Sequence, residues 1–370
     1  MRIIFAVLLL VLTFISSAFA EDAKFYANVF NIVRNEYLHN VDVQHLAESG
    51  LNGLSGMDKK IKIADGAKSS SLYYNGRIAK TIVKPTSPNS LEEWGDYTKK
   101  FIDAAIGVSP EVKARDFETA EYVLMSMFEN LDKDTRYYPY LEIGDSKNAV
   151  KERYFADRMI DDKILYMKLG PLNLYTRDSI LSSFEENEGF EALIIDLRGN
   201  PGGLLSEAVS IMKVFLDQGI IASSRARKDG IMKYYTADEG SVSAIKDKPV
   251  VVLVDGDTAS SAEVLAAGLK EQSIAKVVGT KTKGKGTVQK LIVLDNGGEL
   301  VLTTANFYTP SGKSVNEAGI RPNVCMFDIS NNDTPESVLG NRKNLTRECR
   351  QESRKDYDID LDVAIKMLEL

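Results

Sequence analysis

The chain has 370 residues, 44% of them hydrophobic and 27% charged, which is the balance of an ordinary globular protein rather than a disordered one. This length exceeds what a single hydrophobic core usually fills, so we expect two or three structural units. The net charge of −7 argues against nucleic acid as a partner, because a phosphate backbone attracts basic surfaces. We find no zinc-type Cys/His spacing, Walker loop or internal repeat, and therefore expect neither a metal nor another cofactor.

The first 20 residues have the parts of a secretory signal peptide. Arg2 precedes an apolar run over residues 3–15, and the stretch ends in Ala-Phe-Ala at 18–20. The alternative is a membrane anchor, but the run falls short of the roughly 20 apolar residues that span a bilayer. We expect cleavage after Ala20, export, and no stable membrane span after cleavage.

Residues 21–145 are predicted to form a mostly helical N-terminal region. Apolar residues recur at helical spacing over 21–55 and again over 117–131. Between these stretches, residues 59–84 alternate polar and apolar side chains, which predicts short strands. Ser90 and Glu93 have the spacing of a capping box, so we expect another helix to begin after Ser90.

From residue 164 onward the pattern alternates between strands and helices. Apolar runs predict strands that begin at residues 164, 192, 250 and 275, and amphipathic runs predict helices over 176–186 and 204–216. The Arg-Gly-Asn-Pro-Gly-Gly sequence at 198–203 is a strand-to-helix turn, a phosphate cradle or an oxyanion loop. A hairpin is predicted around Asn296-Gly297-Gly298.

The stretch 250–289 carries side chains suited to nucleophilic catalysis. Ser260 lies between a predicted strand and a predicted helix, where free N–H groups can stabilise an oxyanion. Lys285 and Gln289 are four residues apart and would share one face of a strand. Both histidines, His39 and His45, lie far away in sequence, which favours a Ser-Lys dyad over a Ser-His-Asp triad. The lysine must be neutral to accept a proton.

Four motifs together resemble the carboxy-terminal processing, or tail-specific, serine protease family. They are DLRGNPGG at 196–203, DGDTASSAEVLAAGL at 255–269, VVGTKTKGKGTVQ at 277–289 and FYTPSGKSVNEAGIRPNV at 307–324. The resemblance covers about residues 165–324. It implies an α/β fold with a crotonase/Clp-protease-like ββα catalytic core, a helical N-terminal region and a C-terminal tail, in a protein of the bacterial periplasm.

The resemblance also implies roles for individual residues. The nucleophile would be Ser260, three residues before Glu263, the general base Lys285, and the residue that orients the lysine Gln289. The N–H groups of Gly203 and Ser261 would form the oxyanion hole. Family members usually have Ser-Ala-Ser where this chain has Ser260-Ser261-Ala262, so Ser261 remains a rival nucleophile.

Relatives commonly insert a PDZ domain before the core, and this chain has only residues 141–162 there. A PDZ domain needs on the order of 80–100 residues, so we expect a member of the family that lacks it. The predicted catalytic core then spans 146–328, and a tail with a closing helix spans 329–370. Substrate would be selected by the catalytic groove, by residues 59–101, or by an adaptor or activating protein.

We therefore predict a periplasmic or secreted serine endopeptidase that acts on protein or peptide substrates. The alternatives are a non-catalytic binding or scaffold protein on the same fold and a crotonase-like acyl-transfer enzyme. Cys325 and Cys349 are the only cysteines. They are either two free thiols or one disulfide that ties the tail to the core, and an oxidising compartment favours the disulfide.

Overall fold

The computed structural model describes residues 21–139, 154–227, 230, 232–237, 245, 247–341 and 348–369. The chain divides into two compact units, Met1–Leu141 with Leu291–Leu302, and Glu142–Lys290 with Thr303–Leu370. The signal peptide expected at 1–20 lies outside the described residues, as does most of the stretch 141–162. No helix in the described part of the chain is long and apolar enough to cross a membrane.

The first unit consists of six α-helices and a small antiparallel sheet. The helices are α1 (Ala23–Glu36), α2 (Val43–Leu51), α3 (Leu54–Met57), α4 (Leu91–Val108), α5 (Pro110–Ala114) and α6 (Thr119–Glu129). The sheet has the order β1 (Ile61–Asp65), β2 (Ser69–Tyr74), β3 (Arg77–Val83). The core is rich in aromatic residues, among them Phe30, Trp94 and Phe101, all fully buried.

These elements confirm the helices predicted over 21–55 and the short strands predicted over 59–84. The helix predicted after Ser90 is α4, but the Ser90 side chain makes no capping hydrogen bond. The capping-box prediction was therefore wrong in this detail, although Ser90 is the N-cap residue. A further strand, β4 (Arg136–Tyr138), pairs with residues 299–301 of the hairpin that belongs to this unit.

The second unit is built on a six-stranded sheet with helices on both faces. Its strands are β5 (Phe155–Ile160), β6 (Ile164–Leu169), β7 (Ala192–Asp196), β10 (Val250–Val254), β11 (Ala275–Gly279) and β14 (Val324–Cys325), in the order β14-β11-β10-β7-β6-β5. Only the edge strand β5 is antiparallel to its neighbour. The helices are α7 (Thr176–Glu186), α8 (Leu205–Phe215), α9 (Ser261–Glu271), α10 (Pro335–Gly340) and α11 (Asp358–Leu368).

Alternating side chains explain why the central strands are continuously apolar. In β7, Leu193 and Ile195 lie in the core formed with α8 and α9, whereas Ala192 and Ile194 lie in the core formed with α11. Strand β10 is likewise buried along its whole length. A strand covered on both faces has no polar side to present, which is why its sequence lacks polar residues.

A second sheet has the strand order β12-β13-β8-β9 and contains β8 (Gly219–Ala226), β9 (Met232–Ala237), β12 (Thr287–Val293) and β13 (Glu299–Tyr308). The turn at 296–298 between β12 and β13 confirms the predicted hairpin, and Leu294 N–H donates to Gly298 O at 2.8 Å. The hairpin tip, Leu291–Leu302, belongs to the first unit. The sequence-based prediction had included it in the catalytic core at 146–328.

Neither the described part of the C-terminal tail nor the stretch just before β6 is a free segment. A disulfide joins Cys325 to Cys349 with a Cα–Cα distance of 5.8 Å, which confirms the predicted bridge, and the described tail residues belong to the second unit. Residues 155–160, within the short stretch 141–162, form edge strand β5, because their backbone pairs with β6 from Phe155↔Leu169 to Ile160↔Ile164.

Candidate active site

Ser260 lies where the chain turns from β10 into α9. It is the N-cap residue of the helix and has φ 56° and ψ −126°, a backbone conformation that L-residues rarely adopt. Such strain persists only where surrounding contacts enforce it and is common at functional sites. Ser260 is partly exposed, whereas the neighbouring Ser261 is fully buried and its hydroxyl has no partner in the described part of the chain. Of these two serines, Ser260 is therefore the accessible one.

Glu263 joins the serine turn to the lysine loop. Its Oε2 atom accepts the backbone N–H groups of Ser260 and Lys285, each at 2.9 Å. Its Oε1 atom accepts the N–H of Gly284 at 2.8 Å and the hydroxyl of Thr282. Because both bonds from Ser260 and Lys285 end on one oxygen, the two backbone nitrogens lie within about 6 Å of each other.

The protonation state of Glu263 is set by two opposing effects. Burial raises the pKa of Glu263, because the side chain is fully enclosed. The hydrogen bonds from Thr282, Gly284, Lys285 and Ser260 act in the opposite direction. Three of these four donors are backbone N–H groups, which need an acceptor oxygen. The bonding pattern is therefore that of the ionised carboxylate.

The glycine-rich loop at 198–203 lies directly against the serine turn. A Cβ atom added to Gly202 would meet Ala259 O at 2.7 Å, Ser260 Cβ at 2.8 Å and Ser261 N at 3.0 Å. Gly203 has φ 152° and forms an isolated parallel bridge with Leu172. This close approach requires glycine at both positions.

Asn200 fixes the conformation of this loop. Its side-chain amide donates to Leu169 O at 3.0 Å and Gly170 O at 2.6 Å, while its Oδ1 accepts the N–H of Gly202 at 2.9 Å. The Asn200 carbonyl also accepts the N–H of Ala259 at 2.9 Å. The asparagine thus connects the end of β6, the glycine loop and the serine turn.

Two backbone N–H groups at this junction are available to a ligand. Among the described residues, neither Gly203 N–H nor Ser261 N–H finds an acceptor. Ser261 is the first residue of α9, where N–H groups have no partner within the helix and the helix dipole is positive. An oxyanion close to Ser260 would be stabilised by such donors.

Lys285 and Gln289 lie on either side of the start of β12. Lys285 lies in the loop two residues before β12, and its backbone is fixed by Glu263. Gln289 lies within β12, and its Nε2 donates to the hydroxyls of Thr287 at 2.9 Å and Thr303 at 3.4 Å. The amide of Gln289 is thus oriented by two threonines.

The buried Asp255 stabilises the glycine-rich loop and the serine turn through hydrogen bonds. Asp255 Oδ1 accepts the N–H groups of Gly199 at 2.9 Å and Thr258 at 3.0 Å, while its Oδ2 accepts the N–H of Arg354 at 2.9 Å. Asp255 is fully buried. One carboxylate therefore holds the glycine loop, the serine turn and the C-terminal tail together.

Asp196 and Arg198 form a buried ion pair at 2.7 Å. Arg198 also donates to Tyr357 O at 2.6 Å, and Lys168 approaches Asp196 at 3.1 Å. Burial alone would raise the pKa of Asp196, but the hydrogen bonds and charge of Arg198 hold it below its ordinary value. The pair fixes the end of β7, and among the described residues neither member forms a hydrogen bond with Ser260.

Sequence reasoning missed the roles of Glu263, Asn200 and Asp255. The motif assigns Glu263 no role beyond its spacing of three residues from Ser260. A signal was present, because Ser-x-x-Glu at 260–263 has the capping-box pattern, and the reciprocal bond from Ser260 N–H to the glutamate is formed. Nothing in the sequence alone indicated that the same carboxylate would reach Gly284 and Lys285.

Comparison with known proteins shows which proteins this chain resembles. The model of peptidase family S41 matches residues 163–326. A carboxy-terminal-processing protease of Bartonella bacilliformis is 28% identical over 330 residues, which cover 81% of this chain and 74% of that protein. The carboxy-terminal processing protease CtpA of Bacillus subtilis is 40% identical over 187 residues, which cover 50% of this chain but only 39% of that protein.

Among solved structures, a lipoprotein from Streptococcus agalactiae has a TM-score of 0.50 at 16% identity, covering 82% of this chain and 92% of that one. This likeness concerns the fold alone. The α/β fold expected from the sequence is confirmed, and the four motifs lie within or next to the matched span. Residues 163–326 therefore match peptidase family S41, and the relatives named here are carboxy-terminal processing proteases.

Proposed function

We propose that this protein is a serine endopeptidase in which Ser260 is the nucleophile and Lys285 the general base. The observation that carries the proposal is the shared oxygen of Glu263, which binds the backbone N–H groups of both residues at 2.9 Å. A Ser-Lys pair needs no histidine, which fits a chain whose two histidines lie in the first unit.

In the proposed reaction, the hydroxyl oxygen of Ser260 attacks the peptide carbonyl while its proton passes to the neutral amine of Lys285. The tetrahedral oxyanion accepts hydrogen bonds from the N–H groups of Gly203 and Ser261. Lys285 then gives the proton to the leaving amine, and the acyl-enzyme is hydrolysed by water. Gln289 is a positioning residue whose Oε1 accepts a hydrogen bond from the lysine amine, since its Nε2 already donates to Thr287 and Thr303.

Substrate is selected by the catalytic groove, by the region 59–101 or by an adaptor, rather than by a PDZ domain. The support is the short stretch 141–162, part of which is strand β5. Two peptides that differ only in C-terminal amidation test this point. Equal kcat/KM for the pair is expected, and a loss near tenfold on amidation would mean that a carboxylate site exists.

Export to an oxidising compartment such as the periplasm is part of the same proposal. It is supported by the signal-like composition of residues 1–20 and by the Cys325–Cys349 disulfide. Detection of the protein by fractionation of its native host tests this directly. Recovery in the cytoplasmic fraction with residues 1–20 intact would contradict it.

Cleavage of a denatured protein such as casein tests the activity and the assignment of the nucleophile together. Ser260→Ala and Lys285→Ala should each abolish turnover, and the double variant should be little worse, because the two residues act as a unit. Ser261→Ala is the matched control and should retain turnover, since its hydroxyl is buried. Loss in Ser261→Ala with retention in Ser260→Ala would move the nucleophile by one position.

A further inference from the structure

A short segment of the C-terminal tail, residues 349–354, contacts both the serine turn and the lysine loop. The Arg350 carbonyl accepts the N–H of Lys281 at 3.1 Å. The Glu352 carbonyl accepts the N–H of Gly256 at 2.7 Å. A Cβ atom added to Gly256 would meet Glu352 N at 2.8 Å, so the two backbones are in direct contact. The segment therefore joins the two loops that carry the proposed nucleophile and the proposed base.

One side chain of this segment reaches the lysine loop directly. The Nε2 atom of Gln351 donates to the carbonyl oxygens of Thr282 at 2.8 Å and Lys283 at 3.0 Å. In the described part of the chain, no backbone N–H donates to either of these carbonyls. Because only the NH₂ end of a side-chain amide can donate, the two carbonyl oxygens fix the orientation of the Gln351 amide.

The two carbonyls belong to peptide units whose other ends contact the serine turn and Glu263. A peptide unit is planar, so its C=O and N–H groups cannot turn independently. The first unit ends in the N–H of Lys283, which donates to Thr258 O at 3.0 Å. The second ends in the N–H of Gly284, which donates to Glu263 Oε1 at 2.8 Å. Gln351 thus holds one end of each unit, and the serine turn and the glutamate hold the other.

We propose that Gln351 is a positioning residue for the general base Lys285, an inference that rests on the function proposed above. Lys285 follows the two held peptide units directly, and its own N–H is bound by Glu263 at 2.9 Å. A rotation of either unit would therefore displace the backbone from which the amine extends. Displacements on the order of 1 Å can cost about a hundredfold in rate. The tail segment is thereby part of the active site.

Attachment of the tail is a simpler role for Gln351, but other contacts already supply it. The Cys325–Cys349 disulfide joins the segment to β14. The fully buried side chain of Arg354 pairs with Asp360 at 2.7 Å. Gln351 itself is exposed. Loss of its side chain should therefore leave the tail in place and act on the lysine loop.

Kinetics of the full chain on a quenched fluorescent peptide, taken from a casein cleavage site, test the proposal. Gln351→Ala should lower kcat about tenfold and change KM less than about threefold, because the base moves and the substrate groove does not. Gln351→Glu should lower kcat further, since an ionised carboxylate has no donor for the two carbonyls. Gln351→Lys keeps a donor and should retain kcat within about threefold of wild type. A role in stability alone would not order the variants by their donors.

A second measurement does not depend on substrate turnover. Amide hydrogen exchange over residues 280–286, followed by mass spectrometry, should become faster in Gln351→Ala, because two peptide units lose a partner. Labelling of Ser260 by a fluorophosphonate, which reacts with activated serines, should slow in proportion to kcat. The urea midpoint of unfolding should stay close to that of wild type, because the position is exposed.

Gln272→Ala is the matched control. The Nε2 atom of Gln272 also donates to a backbone carbonyl, that of Ile220 at 2.6 Å, but this carbonyl lies in β8 and not in the lysine loop. The control should keep kcat and the exchange rates of residues 280–286. Equal kcat in Gln351→Ala and Gln272→Ala, or equal losses in Gln351→Ala and Gln351→Lys, would overturn this inference alone. A wild type that neither cleaves casein nor reacts with the fluorophosphonate would overturn the proposed function and this inference with it.

Discussion

The carboxylate of Glu263 accepts the backbone N–H of Lys285 at 2.9 Å, across 22 residues of sequence. The same oxygen accepts the N–H of Ser260, so the position of the serine turn and that of the lysine loop depend on one side chain. Because the Glu263 carboxylate accepts the backbone N–H groups of both residues, it positions the pair and is not itself expected to exchange protons with substrate.

Glu263→Gln should reduce both activity and stability. Glutamine has the same size, but its amide NH₂ would face N–H donors that now bind a carboxylate oxygen. We expect the free energy of unfolding to fall by about 1–3 kcal/mol and turnover to fall at least tenfold. Casein cleavage and urea unfolding measure the two effects. Glu185→Gln, an exposed change on α7, is the control and should alter neither, and normal turnover in Glu263→Gln would refute the positioning role.

The Cys325–Cys349 disulfide should contribute measurably to stability. It closes a loop with a sequence separation of 24, and cross-links of this size stabilise proteins by about 3 kcal/mol. The double variant Cys325→Ser/Cys349→Ser should lose this amount in urea unfolding without a reductant. In dithiothreitol the wild type should become as unstable as the variant. A wild type that keeps its full advantage in reductant would show that packing, and not the bond, is responsible.

The central strands could be predicted from the sequence because their signal is local. Val250–Val254 is an apolar run between Pro249 and Asp255, Ala275–Gly279 is apolar except for Lys276 and the terminal glycine, and the structure has the same bounds. Strands β5 and β8 contain charged, small or hydroxyl side chains, and they are strands because β5 pairs with β6 and β8 pairs with the distant β13. Tertiary pairing, which no local pattern records, decides such segments.

The candidate site, like the strands, could be predicted only where its signal is local. Ser260 and Lys285 belong to motifs, and a motif can be found by its spacing. The bonds that hold them depend on how the 282–285 loop folds back to α9, and on which N–H groups then face Glu263. Sequence patterns therefore predicted the candidate reactive side chains but not the residue that arranges them.

Acid should weaken the second unit through Asp196. Its pKa is held below the ordinary value of 3.8 by Arg198, so the ionised form is favoured by folding. The stabilisation is therefore complete above pH 3.8 and is lost as the pH falls through the lowered folded pKa. Urea unfolding should show a decline over this acidic range.

Asp196→Asn tests this assignment. It should cost about 3–5 kcal/mol at neutral pH, because the buried Arg198 loses its partner, and it should flatten part of the acid decline. Asp362→Asn, at an exposed position of α11, should do neither. An acid decline of the same steepness in Asp196→Asn and wild type would assign it to other carboxylates.

Gly202 and Gly189 allow a clean test of the contact between the glycine loop and the serine turn. Their φ angles are 95° and 94°, so alanine is strained at both positions to the same degree. A Cβ at Gly189 would meet nothing within 4 Å, whereas at Gly202 it would collide with Ala259 O and Ser260 Cβ. Gly189→Ala should therefore show the cost of the backbone angle alone, about 1 kcal/mol, with normal turnover.

Gly202→Ala should cost more than Gly189→Ala in urea unfolding and should lose most of its activity, because the serine turn must move to admit the methyl group. A shift of this turn separates Ser260 from the N–H groups of Gly203 and Ser261, so kcat should fall more than KM rises. Kinetics on a peptide substrate would separate the two parameters. Equal stability and equal kcat in the two alanine variants would mean that the loop does not constrain the nucleophile.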